Sequence, residues 1–139
     1  MKNRILILGD TLTLLIVTLI GFATHGETGI SFLPRMLTTF IPLCVSWFLI
    51  APWFGLFTPT QPSPNSRIWE RWRVATEGAK AGLAMLFAGS LAVVLRGLIL
   101  NAPILPIFAV VLSATSALGM IIWRTIYGFI TSPVRASKR

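Results

Sequence analysis

Few residues in this sequence carry side chains suited to chemistry. The most conspicuous is Asp10, which interrupts the apolar run ILILGDTLTLLIVTLIGF over residues 5–22. A carboxylate in that setting can carry a proton, hold a cationic substrate or close an ion pair. The cations inside or beside the other apolar stretches are Lys80, Arg96 and Arg124. A second group, His25, Glu27 and Arg35, brackets the connection between the first two apolar stretches. Histidine titrates near neutral pH, so this group has the makings of a proton or anion station, with Glu27 as counter-ion for Arg35 or Arg96. One His and one carboxylate are too few to hold zinc, and no metal or other cofactor is expected. The sequence has no glycine-rich phosphate loop, paired catalytic carboxylates or nucleophile elbow. Its single cysteine, Cys44, allows no intramolecular disulfide and reads as a small hydrophobe.

Positioning these groups falls to helices in lipid. The 139 residues are 55% hydrophobic and 12% charged, and the mean hydropathy is +0.80. The charged share is about half that of a soluble domain, and a soluble fold of this length cannot hide so much apolar side chain. A bilayer core takes about 20 apolar residues per helix. Four stretches meet that requirement: residues 5–23, 36–57, 81–100 and 103–123. The expected fold is all-α, a polytopic membrane protein whose single domain, residues 1–139, has four transmembrane helices. A cytoplasmic loop is expected over residues 58–80 and a basic tail over 124–139. Only Asn101 and Ala102 separate the last two stretches, which predicts a tight helical hairpin. The first stretch contains an Asp and precedes three more spans, so it reads as a retained helix rather than a cleaved signal.

Lysine and arginine set the direction. Of the twelve, ten fall at the N-terminus, in the second loop and entrance of the third span, or in the C-terminal segment; only Arg35 and Arg96 fall opposite. Both termini are therefore expected in the cytoplasm, with the protein in the cell inner (plasma) membrane and its basic face against anionic lipids. The net charge of +8 then reflects topology, and no nucleic-acid partner is expected. Trp53 and Trp123 fall at cytoplasmic span ends, where indoles favour the head-group layer. Within NSRIWERWRV, Ile68, Trp69 and Trp72 share a helical face, which suits a short interfacial helix or a solvated loop whose Trp residues pack on the bundle.

Depth restricts the pairings. Asp10 lies roughly 8 Å into its helix and Arg96 roughly 22 Å along its own, from the same side, which disfavours a direct pair. Arg124 and Lys80 share the side of Asp10 and are its expected partners, with Lys2 and Arg4 in reach by snorkelling. Gly78 and Gly82, then Ala84, Ala88 and Ala92, face a matching series of Ala109, Ser113 and Ala117. Four-residue spacing of small side chains lets helices approach in lipid, here the third and fourth spans or two copies of the chain. Pro42 and Pro52 are expected to bend or loosen the second span. Gly26 and Gly29 are expected only to make their loop flexible. Thr11, Thr13 and Thr18 are expected to bond back to helix carbonyls.

Taken together, GD at residues 9–10, THG at 24–26, APWFGLF at 51–57, LRGLILNAPILPIF at 95–108 and WR at 123–124 resemble the domain of unknown function 3054, a family of small prokaryotic membrane proteins. The resemblance implies a four-helix membrane protein and brings no activity with it.

The favoured expectation is a membrane subunit or an assembly and interaction protein whose helices pack on themselves and on a larger partner in a larger membrane complex; a homodimer is the assembly weighed against that complex. The alternative is a small-solute or proton-coupled carrier acting as a homo-oligomer, with Asp10 and Arg96 as inner and outer stations. Four-helix multidrug carriers place their carboxylate near mid-membrane and insert both ways, whereas Asp10 is shallow and the charge bias is strong. A membrane enzyme acting on a lipid or quinone head group, with His25 and Glu27 as acid and base, ranks last, and no enzyme is expected.

Overall fold

Helix formation follows from the absence of breakers within the apolar stretches, and helix ends follow from proline and from residues tolerant of positive φ. A computed structural model describes residues 2–27, 29–58 and 67–131. Its α-helices are α1 (Lys2–Thr24), α2 (Leu33–Ile50), α3 (Arg67–Leu100) and α4 (Pro106–Thr131), with 3-10 turns Ile30–Phe32 and Ala51–Phe54 at the two ends of α2. All four helices are long and apolar enough to cross a membrane. Residues 59–66 of the proline-rich loop and 132–139 of the basic tail lie outside the described residues, as does the side chain of Ile68.

The helix ends differ from the hydropathy boundaries in ways the backbone explains. After α1, the Gly26 amide donates to the Ala23 carbonyl and the Glu27 amide to the Phe22 carbonyl, each at 3.0 Å. Gly26 stands at φ 73°, the left-handed cap this pattern requires. The glycine of THG therefore ends a helix rather than loosening a loop. The expected second span, 36–57, is α2 followed by a 3-10 turn. Pro52 sits in the first turn of that 3-10 segment, and Gly55, at φ 69°, closes it. Pro42 is buried inside α2.

α3 begins at Arg67, so residues 67–80, expected within a loop, are the first turns of one helix. Its 34 residues extend roughly 51 Å, well beyond a bilayer core of about 30 Å. Hydropathy detects only the apolar part of such a helix. The residues of WERWRVATE are compatible with helix, and no proline follows Pro64 until Pro103. The connection after α3 is longer than two residues: α4 starts at Pro106, and residues 102–105 are not helical. Asn101 caps α3 at φ 47°. Pro103 biases Ala102 away from helix, and Pro106 suits a first helical position. α4 then runs on to Thr131, past the expected boundary at residue 123.

Around the bundle α1 neighbours α2 and α4, and α3 neighbours the same two, which leaves α1 and α3 diagonal. Leu14, Leu43, Trp47, Met85 and Met120 fill the interior, with Ala81, Ala84, Ala88 and Ala92 along α3. The glycines of α3 face α4 within the same chain. A Cβ at Gly89 would lie 2.8 Å from the Ser113 Cα, and Gly78 and Gly82 stand against Thr125 and Ile121. Because the obstacle at Gly89 includes backbone, rotamer change alone cannot relieve it. Gly89→Ala should therefore push α3 and α4 apart and cost about 1–3 kcal/mol, read as a lower midpoint of denaturant unfolding in detergent; an unchanged midpoint would contradict this packing. Thr11, Thr13 and Thr18 each donate to the carbonyl four residues earlier, at 2.8 Å.

Candidate functional site

The site is assembled around Asp10, which is 0% exposed. Gly9, the residue before it, has no side chain, and the Trp123 ring of α4 lies where a Cβ would be, 1.9 Å from it. That close approach brings the Trp123 indole N–H to the carboxylate, where it donates to Asp10 Oδ1 at 3.0 Å. From α2 the buried Trp47 indole donates to Oδ2, also at 3.0 Å. Arg124, one residue after Trp123, donates through Nε to Oδ1 at 3.0 Å and through Nη2 to Oδ2. Each carboxylate oxygen thus accepts two hydrogen bonds, from donors on two helices other than its own.

The guanidinium is held as firmly. Its Nη1 donates to the Leu56 carbonyl at 2.9 Å, so the turn after α2 closes over the pair. The Phe57 ring lies 5.2 Å from the guanidinium carbon and the Trp47 ring 5.9 Å, within cation–π range. Removing two charges from water is costly, and attraction offsets that cost only with good geometry and satisfied hydrogen bonds. A bidentate guanidinium plus two indole donors meets that condition, because indole N–H can only donate.

The other candidate residues are placed separately. Lys80 does not reach Asp10 but pairs with Glu77, one turn earlier on α3, at 3.0 Å. Glu27 pairs with Arg35 at 2.8 Å on the exposed side of the bundle. His25 lies exposed in the turn closing α1. Arg96 takes neither carboxylate: its Nε donates to the Thr39 hydroxyl at 3.0 Å, and its guanidinium carbon lies 4.8 Å from the Phe108 ring centre. Among the described residues no group of three His, Cys, Asp or Glu side chains is placed to hold a metal ion.

This geometry lies within the span of a family match. The family described as protein of unknown function (DUF3054) matches residues 7–127. The chain belongs to DUF3054. Comparison with the curated proteins and with the solved structures gives no match. The DUF3054 match takes in every residue of the Asp10 clamp and both residues of the Arg96–Thr39 contact. In this DUF3054 protein, reading the sequence alone misses Trp47 and Leu56 and misplaces Trp123. It assigns the Trp123 indole to the head-group layer, whereas the ring is turned inward onto Asp10. A signal existed for both tryptophans. Each lies within an apolar helix, and an indole buried there needs an acceptor, of which Asp10 is the strongest on that side. The Leu56 carbonyl carries no side-chain signal at all.

Proposed function

We propose that the protein is an integral membrane subunit or assembly factor, a scaffold that presents a fixed bundle to a protein partner. The supporting observation is that the Asp10 carboxylate is fully engaged by Trp47, Trp123 and Arg124. A transport carboxylate must exchange partners during its cycle, and this one is enclosed by donors on two neighbouring helices. It acts as a clamp that fixes how α1, α2 and α4 meet. No catalysis is assigned to it or to His25 and Glu27, and no enzyme activity is proposed. The charge distribution supports insertion in the plasma membrane with both termini in the cytoplasm, the clamp then lying in the inner half.

A carrier reading draws on one observation: the buried hydroxyls of Ser46, Ser113 and Ser116 have no hydrogen-bond partner among the described residues, which gives the interior unused polar capacity. Extraction at native expression in a mild detergent, followed by a native gel and mass spectrometry of the band, separates the two. A band far larger than the 15.2 kDa chain in its micelle, with other proteins in fixed proportion, is the expected result. A band of monomer or homodimer size would overturn the scaffold reading in favour of the carrier.

A further inference from the structure

Beside the clamp, at the same end of the bundle, a cleft of about 110 Å³ opens between α1, α3 and α4. Its lining includes Leu6, Arg73, Val74, Glu77, Arg124 and Tyr127. Arg124 decides its character. A guanidinium carries five N–H donors. Asp10 takes two and the Leu56 carbonyl one, so two remain without an acceptor among the described residues. The side chain is 5% exposed, and buried donors require acceptors. Arg73 brings a second guanidinium to the lining, and Tyr127 brings a hydroxyl. The one carboxylate there, Glu77, is already paired with Lys80. The cleft is therefore rich in hydrogen-bond donors, and much smaller than the roughly 300–1,000 Å³ of pockets that hold drug-sized ligands.

We infer that this cleft binds a phosphate group. Planar guanidinium donors match phosphate oxygens, and the volume admits the group itself with little else. Such a phosphate belongs either to a lipid head group or to a free anion. The lipid source is favoured by the neighbourhood: Trp69 and Trp72, on the turns of α3 that carry Arg73, are 64% and 67% exposed, and indoles at a bundle end suit the head-group layer.

The test uses the full chain purified in non-ionic detergent, equilibrated with equal phosphatidylglycerol and phosphatidylcholine, repurified and assayed for bound lipid by mass spectrometry. Phosphatidylglycerol should be enriched, and Arg73→Gln should lower the enrichment by about tenfold, the effect of one charge-assisted hydrogen bond. Arg71→Gln removes the same charge from an exposed position outside the lining and should leave the enrichment unchanged. If Arg73→Gln unfolds the protein, Tyr127→Phe decides instead, since it keeps the ring that packs on Trp123 and removes only the hydroxyl. A parallel arm adds inorganic phosphate. A thermal midpoint raised by phosphate but not by chloride, and lost in the cleft variants, would support the inference with a free anion as ligand. Equal losses in Arg71→Gln and Arg73→Gln would overturn it in favour of diffuse surface attraction. So would the absence of both lipid preference and phosphate stabilisation.

Discussion

Asp10→Ala should lower the unfolding free energy by about 3–5 kcal/mol, the cost of stranding one partner of a buried ion pair. The loss is large because the carboxylate is the common acceptor for three side chains on two helices. Without it the Arg124 guanidinium keeps only the Leu56 carbonyl, and two indole N–H groups lose their acceptor in an apolar surrounding. Asp10→Asn should also be costly, because its amide nitrogen would face donors where the carboxylate offers an acceptor. A double replacement by leucine at Asp10 and Arg124 should cost less than either single change, since it removes both charges together. Denaturant unfolding in detergent measures all of these. An Asp10→Ala protein within about 0.5 kcal/mol of the parent, the range of a neutral surface change, would show that the clamp does not hold the bundle.

Gly9→Ala should produce the second-largest effect while leaving every charge in place. The added Cβ would lie 1.9 Å from Trp123 Cζ2 and 2.4 Å from Cε2, so the ring must move, and its N–H moves with it. Overpacking of this kind costs about 1–3 kcal/mol, and the displaced indole adds a lost hydrogen bond of about 1.5–3 kcal/mol to a charged acceptor. The distinguishing readout is the Trp123 indole N–H resonance, which should shift strongly in Gly9→Ala while that of Trp47 shifts less. Gly21→Ala on the same helix meets nothing within 4 Å and should leave both resonances unchanged without lowering the unfolding midpoint, since alanine suits a helix better than glycine by about 0.5–1 kcal/mol. If the Trp123 resonance were indifferent to Gly9→Ala, the close approach of α1 and α4 would be refuted.

The two predictions differ in what a reader of the chain can foresee. The cost of Asp10→Ala is partly visible in one dimension. An acidic residue inside an apolar run needs a cation, and the depth arithmetic narrows the choice to Arg124 and Lys80. The choice between them is not visible, because it depends on how each helix is rotated about its axis; in the structure Lys80 pairs with Glu77 and Arg124 with Asp10. The Gly9 effect is invisible in sequence, since a glycine in an apolar helix gives no sign of which ring approaches it. His25, Glu27 and Arg35 show the same division. Their proximity in sequence predicts a local pair, and the structure resolves it as Glu27 with Arg35, while Arg96 turns to Thr39 and Phe108.

What the sequence determined by itself is the all-helical architecture and its four apolar helices, because hydropathy and helix length depend only on local composition. It also marked faces of small residues, but left open whether they meet between α3 and α4 or between two copies of the chain; the structure sets the α3 glycines against α4. The tertiary structure alone decided the helix ends, the α3 extension back to Arg67, the choice of Arg124 over Lys80, and the parts that Trp47, Trp123 and Leu56 play in the clamp. Helix ends depend on φ at single residues such as Gly26 and Asn101 and on charged turns that hydropathy discounts. Partner choice depends on the rotation of each helix about its axis, which is set by packing across the whole bundle. A single indole turned inward rather than outward therefore separates a head-group anchor from a half-buried hydrogen-bond donor to Asp10.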